Sequence, residues 1–104
     1  SGSNIDKFTI DERSKGVMMI PIPKSGVLRK ITGMKQAESI DGIDKIEITA
    51  KLNYPIHPLP EGDGYLGFIF AYGQSPYEVE KALRTSHGLL QFHIEAEILL
   101  EQIK

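Results

Sequence analysis

The chain is predicted to fold as a small α+β domain, with five or six mostly antiparallel strands and one packed helix. Three observations predict it. Residues 66–72, LGFIFAY, form a nearly continuous apolar run that Gly73 ends, as expected of a strand covered on both faces. Ser75-Pro76-Tyr77-Glu78 then supplies a helix start. Ser75 can accept from the backbone N–H three residues on, Pro76 has no N–H to lose at the first helical position, and Glu78 can reach back to the cap. Finally, residues 43–52 and 91–98 alternate apolar and polar, the period of a half-buried antiparallel strand.

The elements follow in order. Residues 1–16 are polar and aperiodic and read as a cloning remnant (Ser1-Gly2-Ser3) followed by a linker, with Phe8 and Ile10 available to dock on the body. Residues 17–104 are read as one domain. Its first strand covers 17–22 and is closed by Pro21 and Pro23, whose missing N–H groups suit an edge or a strand end. Ser25-Gly26 turns into a second strand over 27–34, with Val27, Arg29, Ile31 and Gly33 on one side and Leu28, Lys30, Thr32 and Met34 on the other. Residues 36–40 make a short helical turn before Asp41-Gly42, a strong turn dipeptide. In the strand over 43–52, Ile46, Ile48, Ala50 and Leu52 face inward. Residues 54–60 hold three prolines, which exclude a helix interior and most ladder positions, so an extended connection is expected. Glu61-Gly62-Asp63-Gly64 turns into the apolar strand. In the helix, Val79, Ala82, Leu83 and Ser86 form one narrow face, and Gly88 is its expected stop. The last strand, 91–98, turns Phe92, Ile94, Ala96 and Ile98 inward; a continued helix is the competing reading.

Composition sets the outer limits. At 104 residues the chain has room for one core. A net charge of −2 gives no electrostatic footprint for nucleic acid. No apolar run approaches the ~20 residues that span a bilayer, and no signal-peptide pattern opens the chain. With no cysteine, disulfides and thiolate metal sites are excluded. A cytoplasmic protein is expected, with neither nucleic acid nor membrane as partner.

A family resemblance rests on two runs and the proline-rich link between them, VMMIPIPKSGVLRKITGMKQAESIDGIDKIEI and GYLGFIFAYGQSPYEVEKAL. An apolar strand leads through Ser25-Gly26 into Val27. Gly33 precedes a short acidic turn at Ala37-Glu38 and a Gly42-Ile43 pair. Gly67 opens an apolar run to Tyr72-Gly73, and a helix starts at Ser75-x-x-Glu78. In this order they resemble the C-terminal domain of ATP-grasp ligases over roughly residues 17–92. The nearest type is the second C-terminal domain of L-amino-acid ligases, which is similar to the biotin carboxylase C-terminal domain. The resemblance implies a small β-rich unit with a helix, related to the barrel-sandwich hybrid. It makes residues 17–104 the accessory domain of a ligase that forms an acyl phosphate from ATP and a carboxylate and passes it to an amine. ATP and Mg²⁺ are then expected in the parent enzyme and no cofactor in this piece, because the family's phosphate-binding lysines, metal ligands and glycine-rich lid belong to preceding domains. Those domains are the expected partner, with a homodimer as a further possibility. This chain has Tyr65-Leu66 where relatives often place a basic residue or methionine, so no contact from this strand to the cleft is carried over.

No residue is assigned a catalytic, cofactor-binding or metal-binding role. Met34-Lys35 resembles the turn on which biotinyl and lipoyl carriers hold their lysine, but Gln36 replaces the second methionine and such carriers lack a full helix. Lys35 reads as an exposed lysine. His57, His87 and His93 fall on a loop, a helix end and a strand, with no i, i+4 pair, and read as structural or surface residues. Asp41, Asp44, Glu47, Glu61 and Asp63 are partly clustered in sequence, but Asp41-Gly42 and Asp63-Gly64 are more simply turn formers. Tyr54, Tyr65, Tyr72 and Tyr77 are spread over several elements and read as packing residues, since a stacking platform for single strands needs a basic groove. Apolar surface left for a neighbouring domain is expected on the proline-rich link, 54–59, and on the first strand. The expected function is therefore a non-catalytic domain that completes the active-site wall of the parent ligase and stabilises its core or dimer. The alternative is a freestanding binding or assembly module with no enzymatic parent.

Overall fold

The helix α2, Pro76–Leu89, is the piece that organises the rest. Its amphipathic face was read from the sequence, and Val79, Ala82, Leu83 and Ser86 are indeed its buried residues. A helix of this length is marginal alone in water and draws its stability from what that face covers. Ser75 caps it as expected: the Glu78 amide donates to Ser75 Oγ at 3.3 Å. The reciprocal bond differs by one residue, because Glu78 Oε1 accepts from the Gln74 amide, at 2.9 Å, rather than from the cap itself. Gly88 does not stop the helix. It lies inside the last turn, and termination comes at Leu90, which turns extended (φ −84°, ψ 136°).

The computed structural model describes residues 14–60, 62 and 64–97. The readings made for Phe8, Ile10, Glu61, Asp63 and Ile98 lie outside them. The described elements are β1 (Ser14–Pro21), β2 (Gly26–Thr32), α1 (Met34–Glu38), β3 (Ile43–Ile48), β4 (Pro55–Ile56), β5 (Tyr65–Gly73), α2 and β6 (Gln91–Glu95). They build an α+β fold with two three-stranded antiparallel sheets, ordered β1-β5-β3 and β4-β2-β6. No helix among the described residues is long and apolar enough to cross a membrane.

In the first sheet β5 is the central strand, and its two faces differ. Gly67, Ile69 and Ala71 are buried, and the residues paired with them across β1 and β3 include Ile20, Met18 and Ile46. This is the face that α2 covers. Phe68, Phe70 and Tyr72 on the other face are only partly covered or exposed, so the expectation of a strand buried on both sides is corrected. Hydrophobicity alone could not distinguish the two cases, because the second face is aromatic as well.

The helix lies close to the sheet at Gly16. A Cβ built there would stand 2.7 Å from Val79 Cγ1 and 3.6 Å from Leu83 Cδ1. Gly16 is paired with Ala71, so two of the smallest residues lie under the helix. β1 therefore begins at Ser14, three residues before the predicted start, and takes in the end of the segment read as linker.

The second sheet adds Leu28 and Ile56 to the core, Leu90 joins them between α2 and β6, and Phe92 and Ile94 pack against the cluster. β6 is a strand as expected, although it ends at Glu95 and leaves Ala96 exposed. β2 departs from simple alternation. A register shift between Leu28 and Lys30 pairs Leu28 with Ile94 and Ile31 with Phe92, so those two residues share a face that strict alternation would have separated. The proline-rich link also holds more structure than expected. Pro55 and Ile56 form β4, which among the described strands pairs with β2 alone, and an edge position tolerates the missing proline donor. β3 stops at Ile48, because the Thr49 and Ala50 amides both turn to the Leu66 carbonyl, at 3.0 and 3.1 Å. The alternation read through residue 52 is thereby broken, and Leu52 is exposed instead of inward.

The short helix α1 depends on its contacts. Gly33 caps it at φ 86°, and a Cβ there would run into the Leu89 carbonyl at the end of α2, so only glycine fits. Ala37 is fully buried, and Ser86 Oγ donates to its carbonyl at 2.9 Å from a site with no solvent exposure. A buried hydroxyl without a partner is costly, so this bond fixes α1 against α2.

Two outcomes follow from this packing. Gly16→Ala should lower the unfolding free energy by about 1–3 kcal/mol in urea titrations, because stiff Val79 cannot move aside. Combined with Val79→Ala, the two losses should sum to less than their separate values, and strictly additive losses would show that no close contact exists. Ser86→Ala should cost about 0.5–1.5 kcal/mol and speed amide exchange in α1. Unchanged exchange there would show that the hydroxyl holds nothing in place.

Candidate functional site

The residues singled out in the sequence do not converge. Lys35 is exposed on α1 and sits on a helix, not at the tip of a hairpin. His57 is exposed after β4, with Nδ1 3.3 Å from Ser25 Oγ. His93 is exposed on β6, with Nε2 3.4 Å from Thr32 Oγ1, and His87 is half-buried in the last turn of α2. Among the described residues, no three His, Asp or Glu side chains come together as a cation site. Of the acids, Asp41 borders an open cleft of about 530 Å³ with Glu78, Lys81 and Thr85. Glu47 lies on β3, with its carboxylate 3.7 Å from Lys45 Nζ.

What the tertiary structure does assemble is an aromatic row. On the face of the first sheet turned away from α2, cross-strand pairing sets Val17 beside Phe70 and Met19 beside Phe68, with Lys45 and Glu47 on the far side of the same two rings. Phe70 and Phe68 have ring centroids 6.5 Å apart, and Phe68 and Tyr65 6.4 Å, both tilted and within the range of favourable aromatic contacts. Tyr65 and Phe68 then line an open cleft of about 540 Å³ together with Tyr54, Lys51 and His57. Lys45 Nζ stands 5.1 Å from the Phe70 ring centre and Lys51 Nζ 5.4 Å from that of Tyr54, so two cations cap the row. Val17 and Met19 are each 51% exposed and Tyr54 is 58% exposed. The tyrosines read as dispersed packing residues thus divide: Tyr54 and Tyr65 join one surface, and Tyr77 stands apart on α2.

A second arrangement was not legible beforehand. Arg29 occupies the β2 register shift and points along the sheet surface, where Nε donates to Glu95 at 2.7 Å and Nη1 donates to Asn53 at 3.0 Å. Asn53 takes the left-handed conformation (φ 67°), and its amide donates to the Leu28 carbonyl at 2.6 Å. The bulge re-aims the arginine, and the pair ties the loop after β3 to the second sheet. Both partners of the Arg29–Glu95 ion pair are half exposed or more, so it adds little to stability, and the Asn53 bond is the one that holds the loop.

Comparison with known proteins places this geometry. Curated protein sequences give no match. Among solved structures, an L-amino acid ligase from Bacillus licheniformis matches with a TM-score of 0.69 and 26% sequence identity, over 80% of this chain and 20% of that one. The chain therefore spans about a fifth of that ligase. The family model for the L-amino acid ligase C-terminal domain 2 matches residues 18–95, from within β1 to the end of β6. With the match running across most of its length, the chain belongs to the L-amino acid ligase C-terminal domain 2 family.

Proposed function

We propose that these residues are the non-catalytic accessory domain of an ATP-grasp carboxylate–amine ligase, and that the domain completes the wall of the parent's active-site cleft and supports its core or a dimer. The observation that carries this reading is the structural match, in which nearly the whole fold corresponds to one fifth of an L-amino acid ligase. In such a parent, ATP activates a carboxylate as an acyl phosphate, which an amine then attacks. That chemistry needs grouped oxygen ligands for Mg²⁺ and a backbone cradle for phosphate. The donor set here does not fit those groups, because no three His, Asp or Glu side chains gather among the described residues. No step of the reaction is routed through this domain. Its contribution is shape and rigidity: a two-sheet body braced by α2, on which a cleft can close. An enzyme that consumes ATP in this way works where ATP is abundant, which puts the parent in the cytoplasm.

The reading is tested by separating the domain from its parent. The purified 104-residue chain should show no ATP turnover with any pair of amino acids. The longer polypeptide that carries it should release phosphate only when a carboxylate and an amine substrate are both present. Turnover by the 104 residues alone would reject this division of labour.

A further inference from the structure

We infer that the aromatic face of the β1-β5-β3 sheet, continued across Tyr65 to Tyr54, is the surface on which this domain docks against the domain preceding it in its own ligase polypeptide. The inference rests on the accessory-domain reading and adds to it the face, the occupant and the chemistry of that occupant. Four observations lead to it. The first is that, among the described residues, the apolar side chains of this face lie outside the buried core. Val17, Met19 and the rings of Phe68 and Phe70 lie on the face turned away from α2, while the core cluster takes its residues from the opposite face, α2 and the second sheet. A row of large apolar side chains, with two of them half exposed, is uncommon on a surface that stays in water.

The second is the direction of the chain. The polypeptide enters the described fold at Ser14, the first residue of β1, and Val17 and Met19 follow within one strand length. A preceding domain is thus tethered beside the face it would cover. Tethering of this kind raises the effective concentration to the millimolar range, so even a modest patch is held closed. The third is the amount of chain left for the neighbour, since about four fifths of the matched ligase lies outside the part that corresponds to this domain.

The fourth is charge, which favours that occupant over a second copy of this chain. Among the described residues, the side chains paired across or lying over the aromatic row include Lys15, Lys45 and Lys51 and one acid, Glu47. The chain as a whole carries −2, so the local sign is opposite to the net sign. Two copies meeting through this face would set lysines against lysines. A preceding domain that offers an apolar patch bordered by carboxylates would satisfy both the rings and the cations.

Met19 provides a direct probe, because methionine oxidation follows exposure. Peroxide or hydroxyl-radical labelling is compared between the 104-residue chain and the longer polypeptide, with Met18, which points toward the core, as the internal control. Met19 should oxidise at least tenfold more slowly in the longer protein. The double variant V17K/M19K should leave the melting temperature of the 104-residue chain within a few degrees and remove the Met19-side protection in the longer protein, read at the neighbouring Phe68 and Phe70. Equal oxidation of Met19 in both proteins would overturn the assignment. So would a 104-residue chain that dimerises by sedimentation with Met19 protected and becomes monomeric on V17K/M19K, since the occupant would then be a second copy. Protection in the monomeric 104-residue chain that vanishes when residues 1–13 are deleted would give the face to that segment and overturn it equally. Amino-acid ligation by the longer protein is measured in parallel. A ligase with Met19 exposed would defeat the docking surface alone, and a protected Met19 without ligation would defeat the catalytic reading alone.

Discussion

The approach of α2 to the first sheet is the constraint on which the rest depends. The helix settles into van der Waals contact because Gly16, paired with Ala71, leaves room for Val79 and Leu83. That contact buries one face of the helix and one face of the sheet at once. Fully burying side chains the size of valine and leucine is worth roughly 1.5–3 kcal/mol each. The same contact brings Ser86 beneath the Ala37 carbonyl, and so positions the short α1, which could not persist alone. Leu90 then leaves the helix directly into β6, joining the first layer to the second sheet.

One consequence is a division of labour within β5. The strand supplies Gly67, Ile69 and Ala71 to the domain's own core and Phe68 and Phe70 to the opposite surface. In an ordinary half-buried strand the second set would be polar. Here the stability of the domain and the character of its outer surface are set by alternate residues of a single strand. Changes to one set therefore need not disturb the other.

The sequence reading succeeded where local chemistry is decisive. Ser75 and Pro76 start the helix, Asp41-Gly42 turns the chain, and the 3.6-residue spacing of Val79, Ala82, Leu83 and Ser86 identifies the buried stripe. It failed where backbone pairing overrides pattern. The bulge at Arg29 places Leu28 and Ile31 on one face, the Leu66 carbonyl draws in two successive amides and ends β3 early, and Pro55 enters a ladder because its strand lies at an edge. Gly88 misled as a stop signal because the tight junction with β6, and not a left-handed cap, ends the helix. The aromatic face was anticipated only in its parts, the first strand and the proline-rich link. Nothing in the sequence shows that Val17 lies beside Phe70, fifty-odd residues away, or that Tyr54 borders Phe68.

By itself, then, the amino-acid order determined the element types, the helix boundaries at its capped end, the amphipathic stripe and the family. These depend on neighbours a few residues apart, where propensity, capping and periodicity act directly. Only the tertiary structure decided which face of the apolar strand is interior, how close the helix lies, and which aromatic and lysine side chains gather on the outer sheet. Those are properties of cross-strand register, and register is set by contacts between segments far apart in sequence.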